Sequence, residues 1–125
     1  MAQAKTLTQA ELDQVLRYVS TKKFPERNRA IILTSFWSGL RVGEIAALKM
    51  RDVVNEDGTI RAEIRLSAEQ TKGWHPRTVF LPTKLTVELA NYLKTRYAKN
   101  PDLPFFYTHR KLGFTANGLC VWFFA

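Results

Sequence analysis

The sequence predicts an α+β domain, mostly helical with a small antiparallel β-sheet. Three observations predict it. Apolar residues recur at helical spacing from Leu12 to Leu48. The pattern then switches to alternation at Ile60, Ala62, Ile64 and Leu66, and a second strand-like run, Arg77 to Leu81, follows across a Lys72-Gly73 turn. Helical spacing returns after Pro82.

Each element has its own signal. Thr8-Gln9-Ala10-Glu11 is a capping box, in which a hydroxyl and a carboxylate satisfy the free N–H groups of a helix start. Leu12, Val15, Leu16 and Val19 then form one apolar face. Pro25 fits the first turn of a second helix, largely buried through Ala30, Ile31, Leu33, Phe36 and Trp37. Gly39 supplies a left-handed stop. A third helix is expected from about Arg41 to Met50, burying Val42, Ile45 and Leu48. Asn55-Glu56-Asp57-Gly58 is a turn into the first strand, whose outward residues are Arg61, Glu63 and Arg65. A fourth helix runs from Pro82-Thr83 through Leu85, Leu89, Leu93 and Tyr97 and closes before Pro101. Pro104 to Thr108 is a short apolar connection, and Thr115 caps a fifth helix that buries Leu119, Trp122 and Phe123.

A chain of 125 residues is long enough for one domain with a real core, since chains of this size bury roughly two-thirds of their unfolded surface. With 46% hydrophobic and 24% charged residues it has a globular rather than a disordered composition. Nineteen Lys and Arg against 11 Asp and Glu give a net charge of +8, which suggests a polyanionic partner. Cys120 is the single cysteine, so an internal disulfide is excluded and a cytoplasmic setting is expected. No apolar run reaches the ~18–20 residues needed to span a membrane. His75 and His109 are too isolated to suggest a metal site.

The most informative stretch is Ser38-Gly39-Leu40-Arg41-Val42-Gly43-Glu44-Ile45. An arginine at a helix start can present its fork to a phosphate where free N–H groups already favour an anion. Glu44, one turn on, is expected to pair with Arg41 and fix its direction. The basic turn Thr71-Lys72-Gly73-Trp74-His75-Pro76-Arg77 adds a second cationic group. Together they suggest phosphate chemistry on a nucleic acid. The plainer alternatives are a solvated Arg41–Glu44 pair, an exposed turn lysine, and an outward strand residue at Arg77. Glu44-Ile45-Ala46 also fits the first helix of a helix-turn-helix reader, but Asp52-Val53-Val54 leads into a turn and strand instead of a recognition helix.

These residues resemble the tyrosine recombinases, or phage integrases. The catalytic domain of that family carries a Gly-Leu-Arg-x-x-Glu-[Ile/Leu]-x-x-Leu box, matched from Gly39 to Leu48. A hairpin with a Lys-Gly turn and Arg-x-Val-x-Leu-Pro follows, matched by Lys72, Gly73 and Arg77 to Pro82. Leu7 to Glu11 resembles the start of that domain, and Phe105-Phe106-Tyr107 its next landmark. The resemblance implies site-specific DNA recombination or integration, by strand cleavage and rejoining through a covalent 3′-phosphotyrosyl intermediate. It implies double-stranded DNA as partner and no cofactor, because transesterification conserves the phosphodiester energy. Arg41 would grip the scissile phosphate, Glu44 would orient it, and Lys72 would protonate the leaving 5′-hydroxyl. Trp74, His75 and Arg77 would reach the DNA backbone.

The family also uses a His-x-x-Arg box, a further His or Trp, and a tyrosine nucleophile. No His-x-x-Arg occurs in the sequence, and Tyr18, Tyr92, Tyr97 and Tyr107 fall in segments that the family uses for packing. Residues 1–125 therefore correspond to the first half of the catalytic domain, truncated and expected to be inactive alone. Two alternatives stand beside this: a non-catalytic DNA-binding or regulatory product, and a remnant that self-associates through Trp122, Phe123 and Phe124.

Overall fold

The computed structural model describes residues 8–71, 73, 75–95 and 100–106. The expected elements at Tyr97, Tyr107 and His109, the helix from Thr115, Cys120 and the aromatic end Trp122–Phe124 lie outside the described residues, as do Lys72 and Trp74.

The chain begins with α1 (Gln9–Ser20). Its capping box forms as expected: Thr8 Oγ1 accepts the Glu11 N–H at 3.1 Å, and Glu11 Oε1 accepts the Thr8 N–H at 2.9 Å. Helix α2 (Pro25–Ser38) starts on its proline and stops at Gly39, whose φ of 74° is left-handed. It packs against α1 and α5 (Thr83–Leu93) and contributes Ile31 and Leu33 to the core. Phe36 and Trp37 are half-buried against that core, with the Lys84 ammonium 4.5 Å from the Trp37 ring centroid.

The single third helix expected from Arg41 to Met50 is two short ones, α3 (Val42–Ala46) and α4 (Met50–Val53). Residues distant in sequence break it. The Phe105 N–H donates to Leu48 O at 2.9 Å, and the Met50 N–H donates to Leu103 O at 2.8 Å, replacing bonds that a continuous helix would make. Asp52 Oδ2 then accepts the Lys49 N–H at 2.8 Å and starts α4. Four residues are one turn, too short for a recognition helix, so the helix-turn-helix alternative finds no second helix there.

The strand expected from Ile60 is also shorter. Strand β1 (Glu63–Leu66) pairs antiparallel with β2 (Arg77–Phe80), with Glu63 opposite Phe80 and Leu66 opposite Arg77. Ile60 pairs back to Val54 in an isolated bridge, and Ala62 is exposed instead of inward. The turn at Asn55–Gly58 doubles the chain back, and the Arg61 N–H bonds to Val53 O, so the alternation begins before the sheet does.

Ile64, Leu66 and Val79 bring the sheet onto a core that includes Leu12, Ile45, Leu48, Val53, Leu85, Leu89 and Phe105. Tyr92 is core as well: its hydroxyl donates to Phe105 O at 2.9 Å, and its ring meets Phe105 edge-on with centroids 5.3 Å apart. Tyr18 lies on α1, a segment that packs against α2, but its own side chain faces outward. It is 63% exposed, with the Lys22 ammonium 4.9 Å from its ring centroid. No helix among the described residues is long and apolar enough to cross a membrane.

Candidate phosphate-binding site

The site is built where α2 ends. Ser38 Oγ donates back to Thr34 O and accepts the Leu40 N–H at 3.1 Å, so the chain leaves the helix in one defined direction. Leu40 is buried, and the next residue, Arg41, is extended (φ −80°, ψ 157°) and exposed as the residue preceding α3. Its N–H donates to Glu44 Oε1 at 2.9 Å, closing the turn from inside. Glu44 thus fixes the backbone from which the Arg41 side chain projects.

The carboxylate pairs elsewhere than expected. Glu44 is only 1% exposed, and its ion-pair partner is Arg77, which donates Nε–H to Oε2 at 3.0 Å and Nη2–H to Oε1. This is the two-pronged geometry of an arginine–carboxylate fork. Among the described residues no carboxylate pairs with the Arg41 guanidinium, which is left facing solvent. Because α3 has only five residues, its dipole adds little, and the positive charge here is the guanidinium itself.

Arg77 is not the outward strand residue that was one alternative for it. It shares a face of β2 with Val79, which is buried, while Thr78 and Phe80 face out. A strand's period of two left this legible: Arg77, Val79 and Leu81 fall on one side, and an inward arginine needs a carboxylate. Which carboxylate it meets is a matter of tertiary structure.

The hairpin loop is closed at its base. Thr71 Oγ1 donates to His75 O at 2.7 Å, and Gly73 takes a left-handed φ of 90° between them. His75 is exposed on this loop. Lys72 lies within the closed segment in sequence, but it and Trp74 are outside the described residues. One participant that sequence reasoning missed is Gln70. Its Nε2 donates to Ala47 O at 3.1 Å and to Asp52 Oδ2 at 2.8 Å, tying the loop base to the α3–α4 junction. A glutamine in a polar loop carries no signal of such a role.

Arg41, Glu44 and Arg77 are therefore brought together, with His75 two residues from the fork. The arrangement offers a guanidinium, that of Arg41, with no carboxylate partner among the described residues and a hydrogen-bonded backbone beneath it, suited to an anionic oxygen. Among the described residues no group of three or more His, Cys, Asp or Glu could hold a metal ion. An open groove of about 970 Å³, bordered by Met50, Asn55, Arg61 and Arg65, contains none of Arg41, Glu44 and Arg77.

Comparison with known proteins gives the family and the fold. The model of the phage integrase family matches residues 5–114. Tyrosine recombinase XerA of Pyrococcus furiosus is 33% identical over 99 residues, 79% of this chain and 32% of that protein. Transposase A from transposon Tn554 of Staphylococcus aureus is 24% identical over 120 residues, 94% of this chain and 32% of that protein. The chain thus spans about a third of the length of the curated relatives it matches. Two solved structures share the fold. A crystal structure of XerA recombinase superposes with a TM-score of 0.68 at 20% identity, over 94% of this chain and 40% of the other. The Tn1549 transposon integrase, solved in complex with circular intermediate DNA, gives 0.65 at 17% identity, over 98% and 43%. With the family model matched over most of its length, the chain belongs to the phage integrase family of tyrosine recombinases.

Proposed function

We propose that this chain forms part of an enzyme of site-specific DNA recombination or integration, in which it binds duplex DNA and holds one phosphate at Arg41. The observation that carries the reading is the exposed Arg41 guanidinium, without a carboxylate partner among the described residues, on a helix start held by the buried Glu44. A phosphoryl transition state gains most from positive donors that are already in place. Arg41 would stabilise charge developing on the non-bridging oxygens. Lys72 would pass a proton to the 5′ oxygen as the P–O5′ bond breaks and a tyrosine–phosphorus bond forms. His75 and Trp74, on the same loop in sequence, would rest against the sugar-phosphate backbone. The Tn1549 integrase, which has the same fold and is bound to circular intermediate DNA, supports DNA as the partner.

Neither a His-x-x-Arg box nor a tyrosine assigned to the attack occurs in these 125 residues, so the chain alone is expected to bind DNA without cleaving it. The test is binding of a duplex oligonucleotide over a range of salt. Affinity is expected to fall steeply with salt and to depend little on sequence, as phosphate contacts do. Arg41→Ala and Lys72→Ala should each flatten the log–log salt slope by about one unit. Binding that neither substitution changes overturns the assignment. A covalent adduct on a nicked duplex would overturn the expected inactivity.

A further inference from the structure

The Glu44–Arg77 fork has a consequence for how Arg41 is aimed. Glu44 is almost fully buried and receives three donors: the Arg41 N–H, the Arg77 Nε–H and the Arg77 Nη2–H. Two of the three come from β2. The same hairpin reaches the other end of α3 through Gln70, which donates to Ala47 O. The hairpin therefore holds this five-residue helix at both ends, at its start through Glu44 and at its last turn through Ala47.

We propose that Arg77 is a positioning residue for the phosphate site, locking Glu44 against the Arg41 N–H and so coupling the hairpin to the Arg41 guanidinium, without itself touching DNA. The proposal rests on the phosphate-site reading of Arg41. It replaces the expectation that Arg77 meets the DNA backbone. An arginine that spends its Nε–H and one Nη2–H on a buried carboxylate has its charge matched there, and so offers a phosphate less net attraction than an unpaired one. Arg41, with no carboxylate partner among the described residues, keeps its full charge for a phosphate.

The experiment is a double-mutant cycle on the 125-residue chain, measuring the Kd and salt slope for a mixed-sequence DNA duplex. Arg41→Ala, Arg77→Ala and the double variant are compared with the parent. Arg77→Lys keeps the charge but cannot form the fork, and it serves if Arg77→Ala loses cooperative unfolding. Positioning predicts that Arg77→Ala, or Arg77→Lys, weakens binding about three- to tenfold in the parent and by less than about twofold once Arg41 is alanine. The salt slope of the double variant then equals that of Arg41→Ala. Equal losses in both backgrounds, with about one further unit off the slope, would mean that Arg77 meets phosphate directly, and the proposal falls while the Arg41 site stands. Unchanged binding on substituting Arg77 in the parent also overturns it. If Arg41→Ala itself binds as the parent does, the phosphate-site reading fails first and the positioning role falls with it.

Discussion

Removing Arg77 should be among the most costly single changes at the α3–hairpin junction. Arg77→Ala leaves the Glu44 carboxylate, 1% exposed, with the Arg41 N–H as its one remaining donor among those described. Breaking a buried ion pair from one side typically costs about 3–5 kcal/mol, because the surviving charge is stranded away from water. The Arg77 side chain is 38% exposed, so water can enter part of the space it vacates, and a value of about 2–4 kcal/mol follows. Urea denaturation monitored by far-UV circular dichroism measures this directly. With an m-value near 2 kcal/mol/M, the midpoint should fall by about 1–2 M at unchanged slope. Glu44→Leu combined with Arg77→Met removes both charges together and should recover most of the loss, since replacing a buried pair by apolar side chains is often neutral. A midpoint shift worth less than about 1 kcal/mol for Arg77→Ala would refute the reasoning, because it would place the pair in the range of exposed surface pairs.

Two further changes probe the frame around the site. Gly39→Ala has room for its methyl, with nothing within 4 Å, so its cost is that of a left-handed residue alone, about 1–2 kcal/mol by thermal or urea unfolding; no loss would mean that the α2 stop tolerates another conformation. The hydrogen bond from Arg29 holds the Glu88 carboxyl below its ordinary range, and this pair ties α2 to α5. A depressed folded-state value adds stability above the unfolded value, near pH 4.3, that is lost as pH falls through the folded one. The parent should therefore exceed Glu88→Gln at neutral pH by no more than about 1 kcal/mol, since the Arg29 side chain is 47% exposed, and the difference should vanish in acid. A difference that grows on acidification would contradict the pairing.

Much of the fold was legible because its signals are local. The Thr8–Glu11 box, Pro25 and Gly39 bracket two helices through bonds and torsions spanning a few residues, and they sit where the spacing put them. The hairpin was legible from its alternation and its turn. The third helix was misjudged because helical spacing does not register Leu103 and Phe105, whose backbone groups interrupt it from far along the chain.

At the site the division is sharper. The family box, the order of arginine, glutamate and hairpin lysine, and the positive charge that favours a polyanion are all readable along the chain. That the Glu44 carboxylate accepts from the Arg77 side chain, and from Arg41 only through its backbone N–H, comes from how the hairpin folds onto α3. Spacing along a helix brings residues three or four apart within reach and made Arg41 the natural partner. A carboxylate buried at 1% exposure takes the cation that can reach it inside the fold, and that cation arrives 33 positions later on the inward face of a strand. The exposed arginine is thereby left unpaired among the described residues, with its charge available to a phosphate.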